Sequence, residues 1–132
     1  MNILIAEDDI VSRKLMKKAL SDIGDCDFVI NGIEAIDAYM IAQKDEKLYD
    51  LIFLDIMMPK VDGIKVLKTI RDLEKQNQSM KRARIVMITA LNEKEVVDDA
   101  YNKGADAYAT KPLDINKLME LIRKFELDSL KE

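Results

Sequence analysis

Glu7 and Asp8 follow a short apolar run at residues 2 to 6, and Asp55 follows another, LIFL at 51 to 54. A strand buried on both faces has no reason to end on a carboxylate unless that group faces something at the strand's open end. Pro59 stops any regular continuation of the second run, so Asp55 stands at the mouth of a loop. Two more runs end on polar groups: Ile85 to Ile88 on Thr89, and Ala107 to Thr110 on Lys111 and Pro112. Carboxylates gathered at one site repel by roughly 4 kcal/mol per pair at about 4 Å with an effective dielectric near 20. A bound cation removes that cost. Oxygen-only donors select a hard ion, and a sparse site that keeps room for water suits Mg2+ or Mn2+ better than Ca2+. Lys111 adds a second positive charge and Thr89 a hydroxyl, which makes the set suited to a phosphoryl group. Asp55 would be the nucleophile and form an acyl phosphate, while metal and lysine neutralise the oxygens of the in-line transition state.

The hydrophobic pattern gives the elements that must bring these groups together. After the first run, Val11, Leu15, Ala19 and Ile23 recur at helical spacing, with Gly24 as the stop. Cys26 to Ile30 reads as a second strand, and Ile33, Ile36 and Met40 mark a second helix that fades into the charged residues 44 to 47. Leu51 to Asp55 is the third strand, followed by a helix striped with Ile64, Leu67, Ile70 and Leu73; Glu74 to Arg82 reads as a solvated basic loop. The fourth strand, Ile85 to Ile88, precedes a mostly polar helix from Glu93 to Lys103, with Val96, Val97, Ala100 and Tyr101 to bury and Gly104 as its cap. Ala107 to Thr110 is a fifth strand, and Ile115, Leu118, Ile122 and Phe125 stripe the last helix. Alternating strands and helices with short connections describe an α/β domain with a parallel sheet covered on both faces. Such sheets bind ligands outside the carboxyl ends of their strands, and every candidate residue falls on that edge.

Composition narrows the function. The chain has 132 residues, enough for one domain with a real core, and 21 basic against 25 acidic residues give a net charge of −4. That balance argues against nucleic acid or a membrane surface as the main partner. There is no histidine, which excludes serine-histidine catalysis and a phosphohistidine within this chain. Cys26 stands alone, so no disulfide framework is expected, and the first residues read as a strand rather than a cleavable leader. The cytoplasm is the expected location.

Five motifs occur in order: ILIAEDD with Arg13 five residues past Asp8, NGIEA at 31 to 35, LIFLDIMMPKVDG at 51 to 63, MITA at 87 to 90 and GADAYATKP at 104 to 112. On these residues the chain resembles the receiver domain of two-component response regulators, of the single-domain chemotaxis type, from Asn2 to about Phe125. The resemblance implies a flavodoxin-like (βα)5 three-layer sandwich with strand order 2-1-3-4-5. It implies that Asp55 is the phosphoacceptor, that Asp8, Asp55 and the backbone carbonyl of Met57 hold the metal, and that Glu7 acts mainly through water. It further implies that Lys111 pairs with the phosphate, that the Lys111–Pro112 bond is cis, and that Thr89 and Tyr108 form a switch pair. Residues 1–126 would be the receiver domain and 127–132 a charged extension of its last helix.

The donor would then be a partner histidine kinase or histidine phosphotransfer protein. ATP is not expected as direct donor, because no glycine-rich P-loop with a following lysine is present. The receiver would catalyse only its own phosphorylation and dephosphorylation, and its product would be a change of shape read by a protein target. A homodimer through the fourth and fifth helices is left open, and so is a receiver that forms part of a larger regulator. A phosphatase of the haloacid dehalogenase type also starts from a strand-terminal aspartate but needs a second one two residues on, where this chain has Met57. A receiver-shaped module that never needs phosphate would lack the acidic pair, the threonine or the lysine, and all are present here. Asp9 reads as the cap of the first helix, and Met57 with Met58 as packing. Met57 and Leu91 are expected to shield the site from water and lengthen the life of the phosphoryl group.

Overall fold

The computed structural model describes residues 1–77, 81–90 and 94–130. Strands β1 (Asn2–Ala6), β2 (Asp25–Val29), β3 (Leu51–Asp55), β4 (Arg84–Thr89) and β5 (Ala107–Thr110) alternate with helices α1 (Ile10–Leu20), α2 (Gly32–Lys44), α3 (Gly63–Gln76), α4 (Lys94–Asn102) and α5 (Ile115–Ser129). The strands form one parallel sheet in the order β2-β1-β3-β4-β5, so the chain winds outward from β1 in both directions. Alternate side chains of the inner strands enter different cores. Leu4, Ala6, Ile52, Leu54, Ile85 and Met87 meet α2, α3 and α4, while Ile3, Ile5, Leu51, Phe53, Val86 and Ile88 meet α1 and α5.

Four helices start on a short polar side chain that accepts a backbone N–H of the first turn: Asp9, Asn31, Asp62 and Asp114. Asp9 is thus the cap the sequence suggests. The buried faces of the first two helices differ from the expected stripes. In α1 the core takes Ser12, Met16 and Leu20, and Val11 is 74% exposed. In α2 it takes Ala35, Tyr39 and Ala42, leaving Ile33, Met40 and Ile41 at the surface. Both helices are apolar over more than half their circumference, so spacing alone does not choose between adjacent faces. Helix α1 ends at Leu20, short of Gly24, whose backbone instead lies against Met1: a Cβ there would come within 2.1 Å of the Met1 carbonyl oxygen.

Helix α3 continues through Glu74 into the stretch expected to be a solvated loop. Arg71 explains why, because its guanidinium pairs with Glu74 at 2.6 Å and Asp106 at 2.9 Å and donates to the carbonyls of Ala83 and Gly104. Gly104 follows α4 at φ 108°, and a Cβ there would lie 3.0 Å from the Arg71 side chain, so the glycine both closes α4 and admits the arginine. Among the described residues of α4, Ala100 is the buried one; Tyr101, expected to be covered, is 43% exposed.

Candidate functional site

Asp55 ends β3 and is 3% exposed. Its Oδ1 accepts the Met57 N–H at 2.9 Å and its Oδ2 accepts Lys111 Nζ at 2.9 Å. The chain reverses directly behind it. The Ile56 N–H continues the ladder to the Ile88 carbonyl, Lys60 adopts φ 71° in a tight turn where the Val61 N–H reaches the Pro59 carbonyl, and α3 begins at Gly63. A Cβ on Gly63 would lie 2.3 Å from the Asp55 carbonyl oxygen, so only glycine lets the start of α3 press on the backbone of the acceptor residue.

Glu7 stands just beyond β1 and is fully buried. Its Oε1 accepts Lys111 Nζ at 2.6 Å and the Asp9 N–H at 3.2 Å, while Oε2 is buried without a hydrogen-bond partner. Asp8 is exposed at the rim, and one oxygen from each of Glu7, Asp8 and Asp55 lies within 4.8 Å of the others. Arg13 Nη1 lies 3.4 and 3.5 Å from the carbonyl oxygens of Glu7 and Asp8, tying α1 to the acidic turn. Burial is the largest influence on Glu7, and with the neighbouring Asp55 it pushes the Glu7 pKa up to about 7 against the opposing pull of Lys111. Burial disfavours the Lys111 ammonium, but its bonds to Glu7 and Asp55 outweigh that and raise its pKa.

Lys111 is positioned by its own backbone, whose N–H donates to the Thr89 carbonyl at 2.8 Å; the Lys111–Pro112 peptide is cis. Thr89 is fully buried at the end of β4, where Ile88 is the register partner of Asp55. Tyr108 lies one strand further on, 40% exposed, with its ring edge-on to Tyr101 at 6.1 Å between centroids. The fold therefore brings Glu7, Asp8, Asp55 and Lys111 together, places Thr89 one residue further along the same edge, and leaves Tyr108 turned outward. Met58 packs into the core at 8% exposed, whereas Met57, expected to pack with it, is 64% exposed. Leu91, expected with Met57 to shield the site, lies outside the described residues.

The donor set fits a hard divalent cation. A buried carboxylate oxygen with no donor, beside two further carboxylates and a half-exposed mouth, is an arrangement a cation would complete, and no nitrogen or sulfur ligand competes for it. Two donors were not foreseeable from side-chain chemistry. The amides of Met57 and Asp9 hold Asp55 and Glu7, and a backbone N–H is supplied by any residue that the loop places there.

An acidic pocket with an adjoining lysine, at the carboxyl edge of a doubly wound sheet, defines a phosphoacceptor-type α/β signalling domain. The chain belongs to the response regulator receiver domain family, whose model matches residues 3–123. It is 33% identical over 127 residues to the chemotaxis protein CheY of Bacillus subtilis, covering 92% of this chain and 94% of that protein. It is 37% identical over 124 residues to hybrid signal transduction histidine kinase F of Dictyostelium discoideum, covering 93% of this chain but only 11% of the kinase. Among solved structures, CheY in the CheX–CheY–BeF3–Mg2+ complex of Borrelia burgdorferi aligns with a TM-score of 0.82 at 31% identity, covering 95% of this chain and 88% of that one. The complex of Saccharomyces cerevisiae Ypd1 with the receiver domain of Ssk1 aligns at 0.81 and 32% identity, covering 92% and 86%. Phosphorylation and Mg2+ binding at an acidic site are general features of this family, and its receivers are signalling phosphoacceptors. No helix among the described residues is long and apolar enough to cross a membrane.

Proposed function

We propose that Asp55 accepts a phosphoryl group from a phosphohistidine on a partner kinase or phosphotransfer protein, or from a small acyl phosphate. The single observation that carries this reading is the bonding of Asp55: Lys111 on one oxygen and a backbone N–H on the other hold the carboxylate at the sheet edge, beside a carboxylate pair built for a cation. An Asp55 oxygen attacks phosphorus, an O–P bond forms as the N–P bond breaks, and the electron pair returns to the donor's imidazole. Asp8, Asp55 and the Met57 carbonyl would hold Mg2+, or Mn2+ in its place, with Glu7 acting through water, and the ion would supply positive charge against the phosphoryl oxygens. Lys111 follows the phosphate, and its charge offsets the added negative charge.

The Thr89 hydroxyl is then drawn toward the phosphoryl oxygens, and the Tyr108 ring moves into the space it leaves. This biases α4 and its neighbours toward a second conformation that a protein target reads. Return to the resting state is by hydrolysis at the same site. Residues 1–126 act as the receiver, and the charged tail expected at 127–132 continues α5 to its end at Ser129, with Leu130 as cap; residues 131–132 lie outside the described residues. The protein works in the cytoplasm through protein partners, without direct contact to nucleic acid or membrane, and on activation α4 and α5 offer a surface for self-association.

Incubation with acetyl phosphate and Mg2+ is expected to add one phosphate, seen by intact mass spectrometry, and Asp55→Asn is expected to add none. An unchanged mass in the unmutated protein, or equal uptake by the variant, would overturn the reading.

A further inference from the structure

The sequence of α2, GIEAIDAYMIAQK, is apolar on both sides. Its inner side, Ala35, Tyr39 and Ala42, fills the core, yet Ile33, Met40 and Ile41 on the outer side are 46, 49 and 60% exposed. At about 100° per residue, Ile33, Asp37, Met40, Ile41 and Lys44 fall within one outward stripe about 100° wide. A helix that is apolar all round is ordinarily covered, and a contiguous exposed apolar patch marks an interaction site. The charges on this stripe are ordered. Asp37 stands three residues before Met40 and Lys44 three residues after Ile41, both exposed, while exposed Asp45 and Glu46 follow Lys44 outside the stripe.

We infer that this face of α2 docks on the same face of a second copy of the chain, the two helices antiparallel about a twofold axis between residues 40 and 41. In that register Met40 lies opposite Ile41 of the second copy, and Asp37 opposite Lys44. A twofold contact must be self-complementary, and a stripe with Asp37 on one side of Met40 and Ile41 and Lys44 on the other meets that requirement only when antiparallel. Opposed helix dipoles favour the same arrangement. One helix stripe is smaller than the roughly 800 Å2 per partner of a standard interface, so the dimer is weak and forms with rising concentration. The surface lies on the other side of the sheet from α5, and its formation does not require the acidic site.

Sedimentation equilibrium of the full chain, over a wide concentration range at low salt, tests this. The unmutated protein is expected to show a monomer–dimer equilibrium that Ile41→Glu abolishes. Asp37→Lys and Lys44→Asp are each expected to weaken it by about tenfold or more, since each places like charges in contact twice per dimer. The double variant Asp37→Lys/Lys44→Asp is expected to restore it. That last result separates pairing from helix damage, because the double swap is the least favourable of the set for the α2 dipole. Circular dichroism confirms that each variant is folded, and Asp55→Asn should associate like the unmutated protein. A monomer at all concentrations, a dimer indifferent to Ile41→Glu, or a double variant no better than the singles would each overturn the inference.

Discussion

Glu7 is the residue on which the site is least at ease: fully buried, one oxygen without a donor, and beside a second carboxylate. Its pKa of about 7 in the fold lies above the ordinary value of 4.5. A carboxyl whose pKa is raised on folding contributes stability that is fully present below its unfolded pKa and is lost as pH rises through the folded value. Without metal, the protein is therefore expected to lose stability between about pH 4.5 and 7, on the order of 3 kcal/mol from Glu7 alone. Asp9 and Asp50, whose pKa values are lowered, act below that window and do not offset the loss. Excess Mg2+ should shrink it, because a cation beside Glu7 favours the ionised form. Urea midpoints in EDTA and in Mg2+ across this range check both points. A midpoint in EDTA that is flat or rising with pH would contradict the assignment of strain to Glu7.

At the scale of the element, Arg71 joins α3 to the segment before β4 and to the turn after α4. With the side chains of Arg71, Glu74 and Asp106 only 8, 8 and 10% exposed, removing the arginine leaves the buried Glu74 without its cation, while Asp106 keeps Arg82 at 2.8 Å. Arg71→Met is expected to cost about 3–5 kcal/mol by urea unfolding while leaving Asp55 able to take phosphate. A loss within the ~0.5 kcal/mol of an ordinary surface substitution would show that the network does not hold these elements. Nothing in a linear pattern distinguishes this arginine from its solvated neighbours, since its partners are 3 and 35 residues away and the burial is a property of the closed fold. The same limit explains the helix faces. Strand ends were legible because an apolar run has two sharp boundaries, and so the acidic edge was legible with them. Helices rich in apolar residues on several sides left the inner face undetermined until the sheet was in place, as Val11 and Met40 illustrate. The outward position of Met57 belongs to the same class, since a loop has no period from which a direction can be read.

For the molecule as a whole, the inner strands are deeply buried and α4 is lightly packed. Strands β1, β3 and β4 are buried on both faces and fix Glu7, Asp55 and Thr89 relative to one another, whereas α4 sets only Ala100 fully into the core. Ligand energy released at the acidic edge is therefore most cheaply spent on α4 and on the exposed Tyr101–Tyr108 pair, not on the strands. Beryllofluoride with Mg2+ is expected to raise the unfolding free energy measured in urea, by about 2.7 kcal/mol at a hundredfold excess over its Kd, and to leave Asp55→Asn unmoved. The chain has four tyrosines and no tryptophan, so its emission reports on them. Tyr39 and Tyr49 are buried at 1 and 6% exposed, which leaves Tyr101 and Tyr108 as the responsive pair. Their emission should change on adding beryllofluoride, and iodide quenching should fall as Tyr108 turns inward. Thr89→Ala separates binding from response: it should keep most of the rise in stability, which comes from Asp55, Lys111 and the cation, and lose most of the change in quenching. If quenching fell in this variant as far as in the unmutated protein, Tyr108 would be moving without the hydroxyl, and coupling would have to run through Lys111 and β5 instead.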